Sequence, residues 1–190
     1  FGPVTGIEYV EYANTNNDNI NIGLRAQAGG VTEVTVTGTT GNIVATNATV
    51  ALTLNAGTTT SDVTGGSGAD TLVGGVGQNV MTTNKGNDRI TGAADVDTFQ
   101  INGTSAQTVT ITDLGVGADI TDITNAAAVV NATISNVAGV TLGNTDLVAD
   151  ATLNVTVTDD IATNNTVTFA ATAAAQSGKI VVDASANDNG

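Results

Sequence analysis

Four residues with side-chain oxygens recur at intervals of nine: Asp70, Asn79, Asp88 and Asp97. Gly66 and Gly75 stand four residues before the first two, and Gly68, Gly77 and Gly86 stand two residues before the first three. Two residues after each oxygen comes a large apolar side chain, in turn Leu72, Met81, Ile90 and Phe99. Carboxylate and amide oxygens in such a series suit a hard cation. The chain has no Cys and no His, which excludes thiolate and imidazole catalysis and most zinc or copper sites.

The spacing also states how the oxygens could meet. Glycines at positions one, two and four of each nonapeptide would let the backbone take positive φ and turn its carbonyl oxygens inward. Positions seven to nine would then form a three-residue strand with its apolar residue inward, and two nonapeptides would make one coil of about 18 residues. Asp70 then lies over Asp88 and Asn79 over Asp97, with coils about 4.8 Å apart as in any sheet. Two carboxylates at that distance repel by roughly 3 kcal/mol at an effective dielectric of 20, so a cation is expected between them. Calcium fits, because it accepts about 6 to 8 oxygens in flexible geometry, whereas magnesium demands a tighter octahedron. Both pairs are expected to bind, the Asn79 and Asp97 pair more weakly for want of one charge. Binding and folding should be coupled, because the ligand loops form only in the coil.

The nonapeptides are Gly65-Gly-Ser-Gly-Ala-Asp-Thr-Leu-Val73, Gly74-Gly-Val-Gly-Gln-Asn-Val-Met-Thr82, Thr83-Asn-Lys-Gly-Asn-Asp-Arg-Ile-Thr91 and Gly92-Ala-Ala-Asp-Val-Asp-Thr-Phe-Gln100. This series resembles the hemolysin-type RTX repeat GGxGxDxUx, in which U is a large apolar residue. The first copy matches at every fixed position. The second has Asn79 for Asp, the third has Thr83-Asn84 for the glycine pair, and the fourth has Ala93 and, at position four, Asp95. A following stretch, Ile111-Thr-Asp-Leu-Gly-Val-Gly-Ala-Asp-Ile-Thr-Asp-Ile123, looks like the segment that closes many RTX blocks and adds Asp113 and Asp119 as candidate ligands. The resemblance covers roughly residues 65 to 123. It implies a calcium-binding β-roll in a protein secreted to the bacterial cell surface.

The elements that must hold these turns read as strands. Val31–Thr37, Ala48–Leu54, Thr108–Thr112, Ala132–Val137, Leu153–Thr158, Thr166–Phe169 and Lys179–Val182 alternate apolar residues with Thr or Asn. Aromatics are only 3% and Trp is absent, so thin layers of β-branched side chains suit the chain better than a thick core. The predicted fold is all-β: a parallel β-roll or β-solenoid with flanking strand ladders, or alternatively flanks folded as separate β-sandwich-like modules. The expected division is a strand-rich segment 1–64, the calcium-binding roll 65–123 and a strand-rich segment 124–190. Only Asn125–Val130 and Ala170–Ala175 are rich enough in Ala to hide a short helix.

The charge of −14, from 18 acidic and 4 basic residues, makes nucleic acid a poor partner. No apolar run reaches the roughly 18 residues that span a bilayer. A start at Phe1 and an ending, Asp183–Gly190, that echoes the lead into Gly65–Asp70 lead us to expect a piece of a longer protein. Three function classes follow. The leading one is a calcium-stabilised structural segment of a secreted surface-layer or adhesin-like protein, self-associating into a lattice or filament. The second is an accessory region of a secreted hydrolase, although the chain carries neither an HExxH helix nor a GxSxG elbow and is itself not expected to be an enzyme. The third, ligand or ice binding by Thr-x-Thr ladders such as Thr35–Thr37, is outweighed by the ordinary solvent face of a strand. Asp159-Asp160 are adjacent and would face opposite ways in a strand, which argues against a glycosidase pair.

Overall fold

The computed structural model describes residues 5–13, 16, 18–38, 41–93, 95, 97–102 and 107–111, and the strand backbones 120–124, 129–134, 141–143, 152–157, 168–169 and 179–183. In chain order the described elements are β1 (Tyr9–Tyr12), β2 (Ile20–Asn21), α1 (Leu24–Ala28), β3 (Glu33–Val36), β4 (Ile43–Val44), β5 (Thr53–Asn55), β6 (Val63–Thr64), β7 (Thr71–Val73), β8 (Val80–Thr83), β9 (Asp88–Thr91), β10 (Thr98–Asn102), β11 (Gln107–Ile111), β12 (Ile120–Thr124), β13 (Val129–Ile134), β14 (Thr141–Gly143), β15 (Thr152–Val157), β16 (Thr168–Phe169) and β17 (Lys179–Asp183). Odd-numbered strands form one nine-stranded sheet and even-numbered strands an eight-stranded sheet. All the pairings are parallel, each strand lying beside the one two ahead of it. The chain therefore crosses from sheet to sheet at every turn, which is a parallel β-solenoid.

Register shows how coil length varies along it. Tyr9 pairs with Glu33, 24 residues on, and Glu33 with Thr53, 20 residues on. From Thr53 the step is 18, with Thr53 on Thr71, Thr71 on Arg89, Val63 on Met81 and Met81 on Phe99. It then widens to 21 between Asp88 and Val109 and to 27 between Thr152 and Lys179.

Short strands suffice because each contributes to a column that runs the length of the roll. In one sheet Val34, Leu54, Leu72, Ile90 and Ile111 stack in register, and in the other Ile43, Val63, Met81 and Phe99, all of them fully buried. Each such side chain contributes about 1.5–3 kcal/mol by leaving water. A column also gives every inward residue neighbours of its own kind above and below, which suits Val, Ile and Leu. The strand β7 shows the pattern within one nonapeptide: Leu72 is buried while Thr71 and Val73 on either side are half-buried.

Two local expectations are corrected. Leu24–Ala28 is a helical turn, in a stretch where only strands and turns were expected. Its residues are good helix formers set between Gly23 and Gly29, and five residues are too few to show a helical period. The alternating stretch Ala48–Leu54 enters a strand only at Thr53, since Ala48–Leu52 belong to the connection between β4 and β5. Ala48 N–H donates to Ala45 O (2.8 Å), and Ala48 O accepts the Ser67 N–H (2.8 Å). Of the Ala-rich stretches, Val129 and Val130 belong to β13, while 125–128 and 170–175 lie outside the described residues, as do 158–160.

Candidate metal centre

Position six of every nonapeptide points inward. Asp70, Asn79, Asp88 and Asp97 are all 3% exposed or less. Asp70 and Asp88 sit in successive coils on one edge of the roll, and Asn79 and Asp97 in successive coils on the other. The side chains do meet the neighbouring coil. Leu52 N–H donates to Asp70 Oδ1 (2.9 Å), Asp70 N–H to Asp88 Oδ1 (2.9 Å) and Asn79 N–H to Asp97 Oδ1 (2.8 Å). Each carboxylate thus ties its own coil to the one before.

The second carboxylate oxygens differ. Asp70 Oδ2 accepts the Gly66 N–H (2.6 Å), so Asp70 has a donor on each oxygen. Asp88 Oδ2, like Asp97 Oδ2, is buried without a hydrogen-bond partner. In the third repeat Asn84 replaces the second glycine, and its side-chain amide donates to Gly65 O (2.7 Å). Burial pushes the Asp88 carboxyl up to about 7, helped by the negative charge of Asp70 and opposed by the Asp70 N–H. Asp70 is also raised by burial, with the N–H groups of Gly66 and Leu52 pulling the other way. An acid that is costly to ionise and keeps one oxygen bare is a ready ligand for a cation, which would take the place of the proton.

The glycines act mainly through contact. A Cβ on Gly66, Gly68, Gly75 or Gly86 would lie 2.4 Å from Ala48 O, 2.2 Å from Val50 O, 2.0 Å from Thr59 O or 1.9 Å from Gly68 O. Each turn therefore rests directly on carbonyl oxygens of the coil before. Positive φ, expected at positions one, two and four, is confined among these glycines to Gly77 (84°) and Gly86 (102°). At the fourth repeat Asp95 itself takes φ 77°, and its Oδ2 accepts the Gly77 N–H (3.1 Å) from an exposed position. Asp113 and Asp119 lie outside the described residues, although Ile120, which follows Asp119, pairs with Thr98, which follows Asp97.

Among the described residues no three His, Cys, Asp or Glu side chains converge. A cation here would have to draw on backbone carbonyls as well as the Asp70 and Asp88 carboxylates, and turns packed on carbonyl oxygens are the structure that could supply them. Residues 64–99 match the RTX calcium-binding nonapeptide repeat, in four copies. The match spans 36 of the chain's 190 residues, the same segment that carries the buried position-six side chains. RTX repeats bind calcium, so the metal implied for this block is calcium. No curated protein and no solved structure matches the chain.

The nine-residue spacing did not reveal the partners of the RTX block. Asp62, half-buried, accepts the Val80 N–H on Oδ1 (2.9 Å), and its own N–H donates to Asn42 Oδ1 (3.0 Å). Asn42 N–H in turn donates to Asn19 Oδ1 (3.3 Å). Thr59 and Ser61, both buried, join through their hydroxyls (2.6 Å). Continuing the nonapeptide frame backward by 18 would have placed Ser61 at position six, in register with Asn79.

Proposed function

We propose that this chain is a calcium-stabilised structural segment of a secreted bacterial surface-layer or adhesin-like protein, with no catalytic role of its own. The observation that carries the calcium reading is Asp88, whose bare, buried oxygen lies one coil from a second carboxylate inside an RTX block. RTX-bearing proteins are typically secreted, which supports an extracellular setting. A sequence without Cys or His, rich in Thr, Ala and Gly, supports a scaffold rather than an active site. Among the described residues no helix is long and apolar enough to cross a membrane.

Calcium held at 100 times its dissociation constant would stabilise the fold by about 2.7 kcal/mol per site. Thermal unfolding of the full chain, followed by circular dichroism in chelator and in millimolar calcium, tests the reading. The expected outcome is a higher unfolding temperature in calcium; the same unfolding curve in both would sink it. Assembly has a separate test, sedimentation over a range of protein concentrations in calcium. Growth into larger species is expected, and a monomer at every concentration would remove the lattice from the proposal.

A further inference from the structure

At three of the four position-six residues the side chain accepts an N–H from the coil before; at Asn79 the direction is reversed. Asn79 Nδ2 donates to Ser61 O (2.8 Å) and to Thr59 O (3.4 Å), both in the preceding coil. Its Oδ1 accepts the Gly75 N–H (2.9 Å), which fixes which end of the amide is which. Turned over, the amide would set oxygen against two carbonyl oxygens and nitrogen against an N–H. The surroundings are built to match. Val80 N–H goes to Asp62 Oδ1, leaving Ser61 O to the amide, and the Thr59 hydroxyl donates to Ala56 O (2.6 Å), so that Ser61 Oγ–H donates to Thr59 Oγ1.

A carboxylate in this place would set an oxygen against the carbonyl oxygens of Ser61 and Thr59, an arrangement that only a proton or a cation could hold. The two N–H bonds of the amide supply positive hydrogen to the same two oxygens without any ion. We propose that Asn79 is a metal-free clasp: its amide stands where a calcium ion would otherwise join Thr59, Ser61 and position six, so that the roll closes at this turn in the absence of calcium. Calcium is then taken up at the Asp70–Asp88 edge and not at the Thr59–Ser61–Asn79 turn. The clasp joins the RTX block to the coil before it, so that this seam holds while the opposite edge responds to the ion. The inference rests on the calcium reading of the block.

The test is a calorimetric calcium titration of the full chain, wild type against Asn79→Asp, with thermal unfolding of both in chelator. Asn79→Asp is expected to bind one calcium ion more per chain and to unfold below the wild type in chelator, with calcium removing that difference. Equal numbers of ions bound by both proteins overturn the clasp and leave the Asp70–Asp88 reading standing. An ion gained by the variant when the wild type binds none supports the clasp and overturns that reading, and binding by neither overturns both. If the variant does not fold, the wild type decides by nuclear magnetic resonance. The Asn79 side-chain amide should keep its chemical shifts and slow exchange from chelator to saturating calcium, and its displacement by the ion would overturn the clasp.

Discussion

Asp88 carries a buried carboxylate oxygen that the metal-free protein leaves without a partner. Asp88→Asn keeps an oxygen for the Asp70 N–H and removes a buried charge that has no counterpart. In chelator this variant should match or exceed the wild type by about 1 kcal/mol, while the calcium-induced rise in unfolding temperature shrinks. A full calcium response in Asp88→Asn would show that the ion sits elsewhere. Acidity should act in the same direction. The folded carboxyl titrates near 7 against an ordinary value of 3.8, so folding takes up a proton. Its contribution is complete below about 4 and is lost as pH rises through about 7. Urea unfolding in chelator should therefore show Asp88 favouring the fold more at pH 5 than at pH 8, a trend that Asp88→Asn lessens. All four position-six residues were legible from their spacing. That Asn79 would donate to the coil before, where the three carboxylates accept, was not, because that depends on Ser61 and on Asp62 taking the Val80 N–H, residues outside the nine-residue series.

At the scale of the element, a nonapeptide is a turn resting on the turn below and a strand of one inward residue. Gly86→Ala attacks the first part. Its Cβ would meet Gly68 O at 1.9 Å on a backbone at φ 102°, and a loss of roughly 1–3 kcal/mol or more is expected in thermal unfolding. Phe99→Ala attacks the second by emptying the end of the Ile43, Val63, Met81 column, at a cost of about 3–5 kcal/mol. A variant of either kind with wild-type stability would contradict the packing. Strands such as Gln107–Ile111 and Thr152–Val157 were readable within a residue from alternation alone. Ala48–Leu52 was not, since an alternating sequence carries no mark telling a turn that packs on its neighbour from a strand that pairs with it. The helical turn Leu24–Ala28 was missed because it is shorter than any period that could announce it.

For the whole molecule, contacts in a solenoid join only adjacent coils, so stabilisation should decay along the roll instead of spreading evenly. Hydrogen exchange with and without calcium should show the largest gain in protection around Thr71–Thr91, with smaller gains in coils farther away; equal gains throughout would mean a single cooperative unit. The parallel coil was legible where the nine-residue period is clear. Its continuation through both flanks was not, because there the pairing step drifts from 24 to 20 on one side and from 21 to 27 on the other. That drift bears on how the chain can be re-engineered. The flanks already accept coils of unequal length, so their turns should tolerate single-residue insertions. Between Thr53 and Ile101 every step is 18, and turns bear on the carbonyls of the coil before. There the unit of exchange is the whole coil: cassettes of 18 residues can be spliced in or removed, whereas one added residue would turn a column of buried side chains outward.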